Sequence, residues 1–210
     1  MSLDKQETTR VPTLAVGLNG INVVLYINPD FWFGMTVEQR MGVCKHEMLH
    51  LCMMHLVTGE GYPNHKLDNI ACDAEINQYI DPTYLPKDGI TIEGLMKEFP
   101  VKLEEKQGRD YYYKKLRDVI PEDFDLGDAE HFWEEFEKLS EADKQVVRNQ
   151  IEYIMEETAE ELKRQQGTVP GEIAALIKLK KIPSRFDWKK FIRQWAGNSQ
   201  EVYTKSSRFK

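Results

Sequence analysis

The sequence predicts an α+β fold in which a small N-terminal β-hairpin or sheet is followed by a mostly helical remainder. Residues 13–28 carry two runs of apolar and β-branched side chains on either side of Asn19-Gly20, a pattern typical of a tight hairpin. A capping-box pattern begins the next apolar segment at Thr36. From residue 129 onward, Glu, Lys and Gln alternate with apolar residues at helical spacing. A hairpin followed by helices is an α+β arrangement.

The first long helix is predicted from signals at both of its ends. Thr36 supplies the N-cap, and Gln39, three residues later, completes a capping box. The apolar residues then continue to about Val57, and Gly59 and Gly61 are expected to end the helix. This predicted helix contains the most informative residues of the chain.

Further helices follow, with boundaries given by prolines, glycines and changes in composition. The predicted helical segments are 67–80, 130–139 and 141–165. Residues 91–99 and 110–119 are short amphipathic segments, and residues 121–128 are an acidic linker. Pro170 and Asp187 are expected to begin two more helices. We expect residues 1–120 to form the core, and residues 121–210 to form a helical extension packed on it or continuing the same domain.

Charge and composition argue against several classes of protein. The chain has 210 residues with 28 Lys+Arg and 35 Asp+Glu, a formal charge of −7, so we expect neither nucleic acid nor a membrane as its partner. No apolar run approaches the ~18 residues that a transmembrane helix needs, and residues 1–10 do not resemble a signal peptide. Three cysteines, Cys44, Cys52 and Cys72, suit a reducing compartment. We therefore expect a cytoplasmic protein.

The motif His46-Glu47-Met48-Leu49-His50 is the part of the sequence that indicates a catalytic metal site. Two imidazoles at positions i and i+4 of a helix lie only ~40° apart around its axis, so both can reach one metal ion. Glu47 lies ~100° from His46, beside the open position of that ion, where a carboxylate can accept a proton from water. Zn²⁺ suits this chemistry because three protein ligands leave its fourth position for water. The motif predicts His46 and His50 as zinc ligands and Glu47 as the general base.

A third zinc ligand is needed, and two residues are candidates. His55 lies nine residues after His46, which on an unbroken helix rotates its side chain by roughly 900°, to the opposite side. A buried or supporting histidine with a hydrogen-bonded ring is therefore the better interpretation of His55. Asp73 shares a polar stripe with Asn69 and Asn77 on the second predicted helix, and that helix can pack against the first. Asp73 is the favoured third ligand, and His55 is the alternative.

Other residues near the motif receive structural interpretations. If Asp73 does not bind the metal, we expect its carboxylate to orient one of the imidazoles. Glu75 faces another side of the second helix and is expected to be solvated. A mixed His/Cys zinc site is conceivable, but Cys44 projects ~200° away from His46. The three cysteines are therefore interpreted as small buried hydrophobic residues.

Several blocks of the sequence together resemble one family. The most specific are Gly17-Leu18-Asn19-Gly20 with Ile27-Asn28-Pro29-Asp30-Phe31, then the motif at 46–50 with His55, and the segment from Asn69 to Asn77. Residues 85–89, 170–172 and 186–189 resemble later blocks. The sequence is thereby similar to the family called the putative metallopeptidase domain, found in bacteria and their phages.

This resemblance implies a zincin-like fold. It also implies zinc on His46 and His50, Glu47 as the general base and Asp73 on the metal. In the family, the domain is commonly followed by a von Willebrand factor A-like domain, which these 210 residues do not contain. We expect either a fragment of a longer protein or a stand-alone form.

The expected function is that of a zinc-dependent metallopeptidase acting on a polypeptide substrate. Zinc and Glu47 would activate the water that attacks the peptide carbonyl, and Glu47 would then deliver the proton to the leaving amine. The edge of the hairpin would align an extended substrate. The alternative is a catalytically inert zinc-binding scaffold whose charged helices over 129–165 dock onto a partner. An ATPase, a phage protein or a von Willebrand factor A-like domain would be such a partner.

Overall fold

Three short strands form a sheet at the N-terminal end of the chain. The computed structural model describes residues 3–59, 61–87, 89–121 and 133–166, and its strands are β1 (Asp4–Glu7), β2 (Leu14–Asn19) and β3 (Asn22–Ile27). The order in the sheet is β1-β3-β2, with β1 parallel and β2 antiparallel to β3. The predicted hairpin is confirmed. Gly20 takes a φ of 63° in its turn, which glycine adopts without steric cost.

Two short elements have no counterpart in the sequence prediction. Strand β1 consists of four exposed polar residues, and main-chain pairing with β3 requires no apolar pattern. Helix α1 (Pro29–Gly34) follows β3 directly. Its N-cap is Asn28, whose Oδ1 accepts a hydrogen bond from the Asp30 N–H at 3.0 Å. The Asn28-Pro29-Asp30 segment therefore both ends a strand and begins a helix.

Helix α2 (Val37–Cys52) carries the motif at 46–50 in its C-terminal half. Its predicted start is confirmed. The Thr36 hydroxyl accepts from the Gln39 N–H at 3.2 Å, and the Gln39 side chain accepts from the Thr36 N–H at 3.1 Å. This capping box fixes the first turn of the helix.

The predicted end of this helix at Val57 is wrong. Helix α2 stops at Cys52, and Met54 takes a left-handed conformation with a φ of 60°. The next three residues form a separate buried 3-10 turn, His55–Val57. The turn buries Leu56 and Val57 almost completely. Burial of these apolar side chains favours the turn over a continued α2 helix that would extend into solvent. His55 therefore does not lie on an extension of α2.

The middle helices pack around one apolar core. They are α3 (His65–Ile76), α4 (Ile92–Glu98) and α5 (Arg109–Arg117). Helix α3 lies close to the predicted 67–80 helix, and α4 and α5 lie on the amphipathic segments at 91–99 and 110–119. After α3 the chain continues as a 3-10 turn, Asn77–Tyr79. The buried residues of this core are Leu67, Ile70, Ala71, Ala74, Ile92, Leu95, Phe99, Leu103, Tyr112, Tyr113, Leu116 and Ile120.

Two later helices complete the described part of the chain. They are α6 (Trp133–Glu137) and α7 (Glu141–Gln166). Helix α7 packs on the hairpin and on α2, and its Gln150 side chain accepts a hydrogen bond from the Val23 N–H at 2.7 Å. The described residues all belong to one compact unit over residues 1–170.

Several predictions concern residues outside the described ranges. These are most of the acidic linker over 121–128, residues 130–132 of the predicted 130–139 helix, the expected helix starts at Pro170 and Asp187, the blocks at 170–172 and 186–189, and the part of the 121–210 extension beyond residue 166. Among the residues that the structure describes, no helix combines the length and apolar character needed to cross a membrane.

Candidate metal centre

Helix α2 brings the two motif histidines together. Because His46 and His50 are four residues apart, their rings lie on the same side of the helix, and their centroids are 4.7 Å apart. The two Nε2 atoms face each other at 3.0 Å. The structure therefore contains the imidazole pair that the motif predicts, and the Nε2 atoms of both rings face the same position.

Asp73 on α3 completes a three-atom cluster. Its Oδ1 lies 3.2 Å from Nε2 of His50 and 3.5 Å from Nε2 of His46. The His46 and Asp73 side chains are each 16% exposed, whereas the His50 side chain is 7% exposed. The His46 and Asp73 side of the cluster is therefore less deeply buried than the His50 side.

The size of this triangle matches a metal ion with short bonds. The three sides measure 3.0, 3.2 and 3.5 Å. Ligands bound tetrahedrally at the Zn–N and Zn–O distances of about 2.0–2.1 Å are about 3.3–3.4 Å from one another. Among the described residues, His46, His50 and Asp73 are also the group whose ligand atoms could hold one ion. No cysteine belongs to that group.

The polar atoms of the cluster need a positive charge between them. Asp73 Oδ1 is buried and faces only ring nitrogens among the described residues, with Nε2 of His50 at 3.2 Å and Nε2 of His46 at 3.5 Å. Such an atom is costly to bury unless a cation or proton compensates it. Burial acts to raise the pKa of Asp73, but the imidazoles of His46, His50 and His55 outweigh burial and lower that pKa below its ordinary value. The carboxylate is therefore ionised and fits a cation held between it and the rings.

Asn77 orients the first histidine of the cluster. Its Nδ2 donates to the Ile90 carbonyl at 2.9 Å, which turns its Oδ1 towards His46. Nδ1 of His46 lies 2.7 Å from that Oδ1 and must donate to it, because the amide oxygen only accepts. A neutral His46 consequently presents the lone pair of Nε2 to the cluster, as a metal ligand requires. The sequence placed Asn77 in the stripe with Asp73 without giving it this role.

The two imidazoles of the cluster respond differently to their surroundings. Burial acts to lower the pKa of His46, but the charges of Asp73 and Glu47 and the hydrogen bond with Asn77 together raise it. For His50, burial dominates and lowers the pKa. Deep burial thus keeps His50 neutral, whereas in the absence of a cation His46 is the ring that holds a proton more tightly.

Glu47, the predicted general base, is buried beside the cluster and contacts the sheet. Its Oε2 accepts a hydrogen bond from the Val16 N–H of β2 at 2.7 Å. Burial raises the pKa of Glu47, and the nearby His46 and His50 and the Val16 hydrogen bond offset only part of this rise. A carboxylate whose pKa is raised holds a proton more readily than an ordinary one and is suited to accept and return it.

His55, the alternative third ligand, lies on the far side of His50 from the cluster. Its Nδ1 is 3.1 Å from Nδ1 of His50, whereas the cluster is formed by the Nε2 atom of that ring. The expectation that Glu75 is solvated is wrong. Its Oε2 lies 3.3 Å from Nε2 of His55 and accepts from the Arg109 N–H at 2.8 Å. The side of α3 that carries Glu75 packs against α5, a contact that helical periodicity does not reveal.

The cysteines are separate from the cluster. Cys52 and Cys72 are buried, in keeping with the interpretation as small buried hydrophobic residues, whereas Cys44 is only half-buried. Burial raises the pKa of Cys72 well above the ordinary thiol value and also raises that of Cys44. Thiols in this state are poor metal ligands because it is the thiolate that binds.

The fold and the cluster define a class of protein. It is an α+β chain in which two imidazoles and one carboxylate converge, with a second carboxylate beside them. A family model described as "Putative metallopeptidase domain" matches residues 10–131, which is more than half of the 210 residues. The chain belongs to this family, as its sequence blocks indicated. Family and cluster together support a metal-dependent, protease-like role.

Two other comparisons give no match. Neither the curated proteins nor the solved structures include one that matches this chain. The geometry of the cluster therefore carries the functional argument together with the family.

Proposed function

We propose that the protein is a zinc-dependent metallopeptidase, with His46, His50 and Asp73 as the zinc ligands. The observation that carries this proposal is the triangle of two Nε2 atoms and one carboxylate oxygen, with sides of 3.0, 3.2 and 3.5 Å. Two neutral imidazoles and one carboxylate form a common ligand set of catalytic zinc sites. The zincin-like fold implied by the sequence resemblance belongs to this proposal.

Zinc bound by these three residues would act as a Lewis acid and lower the pKa of water to about 7. Glu47 is the group of this chain that accepts the proton from the attacking water and returns it to the leaving amine. Its buried carboxylate supports this role, because burial raises its pKa. One carboxylate can serve both steps, since the acid formed in the first donates in the second.

Strand β2 would align the substrate. It lies at the edge of the described sheet, and its Val16 N–H points away from β3 to reach Glu47. An extended peptide that adds to this edge by main-chain hydrogen bonds would run past Glu47. Substrates are therefore expected to be unstructured polypeptides, which can adopt a strand conformation. The cytoplasm remains the proposed location, and an ATPase or a von Willebrand factor A-like domain remains a proposed partner.

The test compares the wild type with Glu47→Gln on a library of unstructured peptides supplied with Zn²⁺. Glutamine has the same shape and can accept the Val16 hydrogen bond, but it cannot take a proton at neutral pH. Cleavage is expected to fall by at least ~10²-fold, with zinc content unchanged. Glu98→Gln is the matched control, because Glu98 is exposed at the end of α4. If the wild type is as inert as Glu47→Gln, the protein is a zinc-binding scaffold instead.

A further inference from the structure

We propose that Glu75 and His55 are positioning residues that fix the protonation pattern of His50. This inference rests on the proposed zinc site and names the groups that orient one of its ligands. The hydrogen-bonded chain runs from Glu75 Oε2 to Nε2 of His55, at 3.3 Å, and from Nδ1 of His55 to Nδ1 of His50, at 3.1 Å. Nε2 of His50 is then the atom left facing His46 and Asp73.

The direction of each hydrogen bond follows from the Glu75 carboxylate, which ends the hydrogen-bonded series. An ionised carboxylate only accepts, so Nε2 of His55 carries a proton and donates to Glu75. When His55 is neutral, its Nδ1 has a lone pair and accepts. Nδ1 of His50 must then be the donor, and the lone pair of His50 lies on Nε2, towards the cluster. The carboxylate of Glu75 thus selects, through one intervening ring, the tautomer of His50 that can bind zinc.

Glu75 is itself held in place by helix α5. Its Oε2 accepts from the Arg109 N–H, the first amide of that helix, at 2.8 Å. The N-cap residue Gly108 provides no side-chain cap, so the Glu75 carboxylate serves as the cap from α3. The positive end of the helix dipole favours the ionised form that the chain of hydrogen bonds requires.

A second interaction fixes the position of this helix end. The Arg109 guanidinium donates from Nε to Asp68 Oδ1 at 2.5 Å, and from Nη2 to the other Asp68 oxygen. Nη1 donates to the Thr58 carbonyl at 3.1 Å. Asp68 and Glu75 lie seven residues apart on the same side of α3, so both can accept hydrogen bonds from Arg109 at the start of α5. The support for His50 therefore extends into the contact between α3 and α5.

The first arm of the test reads the ring protons directly. In ¹⁵N-histidine-labelled wild-type protein loaded with Zn²⁺, long-range ¹H–¹⁵N correlation spectra are expected to find the His55 proton on Nε2. The same spectra are expected to find the His50 proton on Nδ1, with zinc on Nε2. A His55 proton on Nδ1, or zinc on Nδ1 of His50, overturns the proposal. No variant is involved, so a folding defect cannot obscure the result.

The second arm measures zinc affinity by competition with a chelator for two variants of Glu75. Glu75→Ala removes the acceptor and is expected to weaken zinc binding by about 10–100-fold. In Glu75→Gln a single amide oxygen can accept both hydrogen bonds, as Oε2 does now, so the loss is expected to stay below about 5-fold. Glu93→Ala, an exposed position 78% open to solvent, is the control and is expected to match the wild type.

The outcomes separate this inference from the proposed function. If the wild type binds no zinc, the proposed metal site is wrong and the inference fails with it. If the wild type binds zinc and Glu75→Ala binds it as tightly, the inference alone is wrong. Equal losses in Glu75→Ala and Glu75→Gln also contradict it, because the glutamine keeps the acceptor. The visible spectrum of the Co²⁺-loaded variants provides a check on ligand geometry and is expected to change in Glu75→Ala only.

Discussion

Glu47 of helix α2 accepts a hydrogen bond from the backbone N–H of Val16 on strand β2, with 2.7 Å between the Glu47 Oε2 and the Val16 nitrogen. Both partners of this bond are buried. The residue proposed as the general base therefore also joins the motif helix to the edge of the sheet. A variant of Glu47 that removes this acceptor therefore affects stability as well as catalysis.

Replacement of Glu47 by alanine is expected to destabilise the protein more than replacement by glutamine. Alanine leaves the buried Val16 N–H without its acceptor, which costs about 1–3 kcal/mol of the free energy of unfolding. Glutamine retains an acceptor of the same shape. Urea denaturation of the metal-free proteins measures the difference, and equal stabilities of the two variants would show that the hydrogen bond contributes little.

Asp73→Ala is expected to weaken zinc binding by more than the roughly 10–100-fold typical of a supporting residue, because it removes a direct ligand. Chelator competition with the purified protein measures the affinity. Asn69→Ala, on the same polar stripe, is the control. An unchanged affinity in Asp73→Ala would exclude this carboxylate as the third ligand.

Zinc affinity is expected to fall as the pH is lowered, beginning above the ordinary imidazole pKa of 6.5. Zinc requires a neutral imidazole, and the charges of Asp73 and Glu47 and the Asn77 hydrogen bond raise the pKa of His46 above its ordinary value of 6.5 despite burial. Protons therefore compete with zinc for His46 at and below its raised pKa. Zinc affinity reaches its full value only above that pKa. Titration of metal-free His46 by NMR gives the pKa. In metal-free Asp73→Asn the midpoint of the His46 titration should move to lower pH. A shift of this midpoint to higher pH would contradict the explanation.

Gly42→Ala is expected to destabilise the protein by about 1–3 kcal/mol or more, because there is no room for a side chain. A Cβ on Gly42 would lie 2.1 Å from the carbonyl oxygen of Tyr84, in the turn packed against α2. Gly34→Ala is the control, since a Cβ there meets no atom within 4 Å. Thermal denaturation of both variants tests the prediction, and similar melting temperatures would argue against this close approach.

Arg109→Ala is expected to destabilise the protein by about 3–5 kcal/mol, because it leaves the Asp68 carboxylate buried without its partner. The Asp68 side chain is 0% exposed and that of Arg109 is 7% exposed. Arg117→Ala, on the same helix with a side chain that is 61% exposed, should change stability by less than about 1 kcal/mol. Chemical denaturation compares the two, and a small effect in Arg109→Ala would mean that water compensates Asp68.

The helix break after Cys52 illustrates why part of the site was beyond prediction. The capping box at Thr36 is a local pattern, and the structure contains it. The left-handed conformation of Met54 has no such pattern, because methionine rarely adopts it and burial of the next residues imposes it. The position of His55 behind His50 depends on that turn. The sequence does not reveal the burial of Glu75 for a related reason, since its partners come from α5 and from the turn at 55–57.

The sequence by itself determined the elements whose signals are local: the Asn19-Gly20 hairpin, the start of the motif helix, and two imidazoles placed together by a spacing of four residues. Only the tertiary structure decided which groups meet across helices and strands. Val16 reaches Glu47, Asn77 reaches His46, and Arg109 reaches Glu75, with separations of 31, 31 and 34 residues. Backbone conformation follows mainly from neighbours in the chain, whereas these contacts follow from how apolar faces pack together.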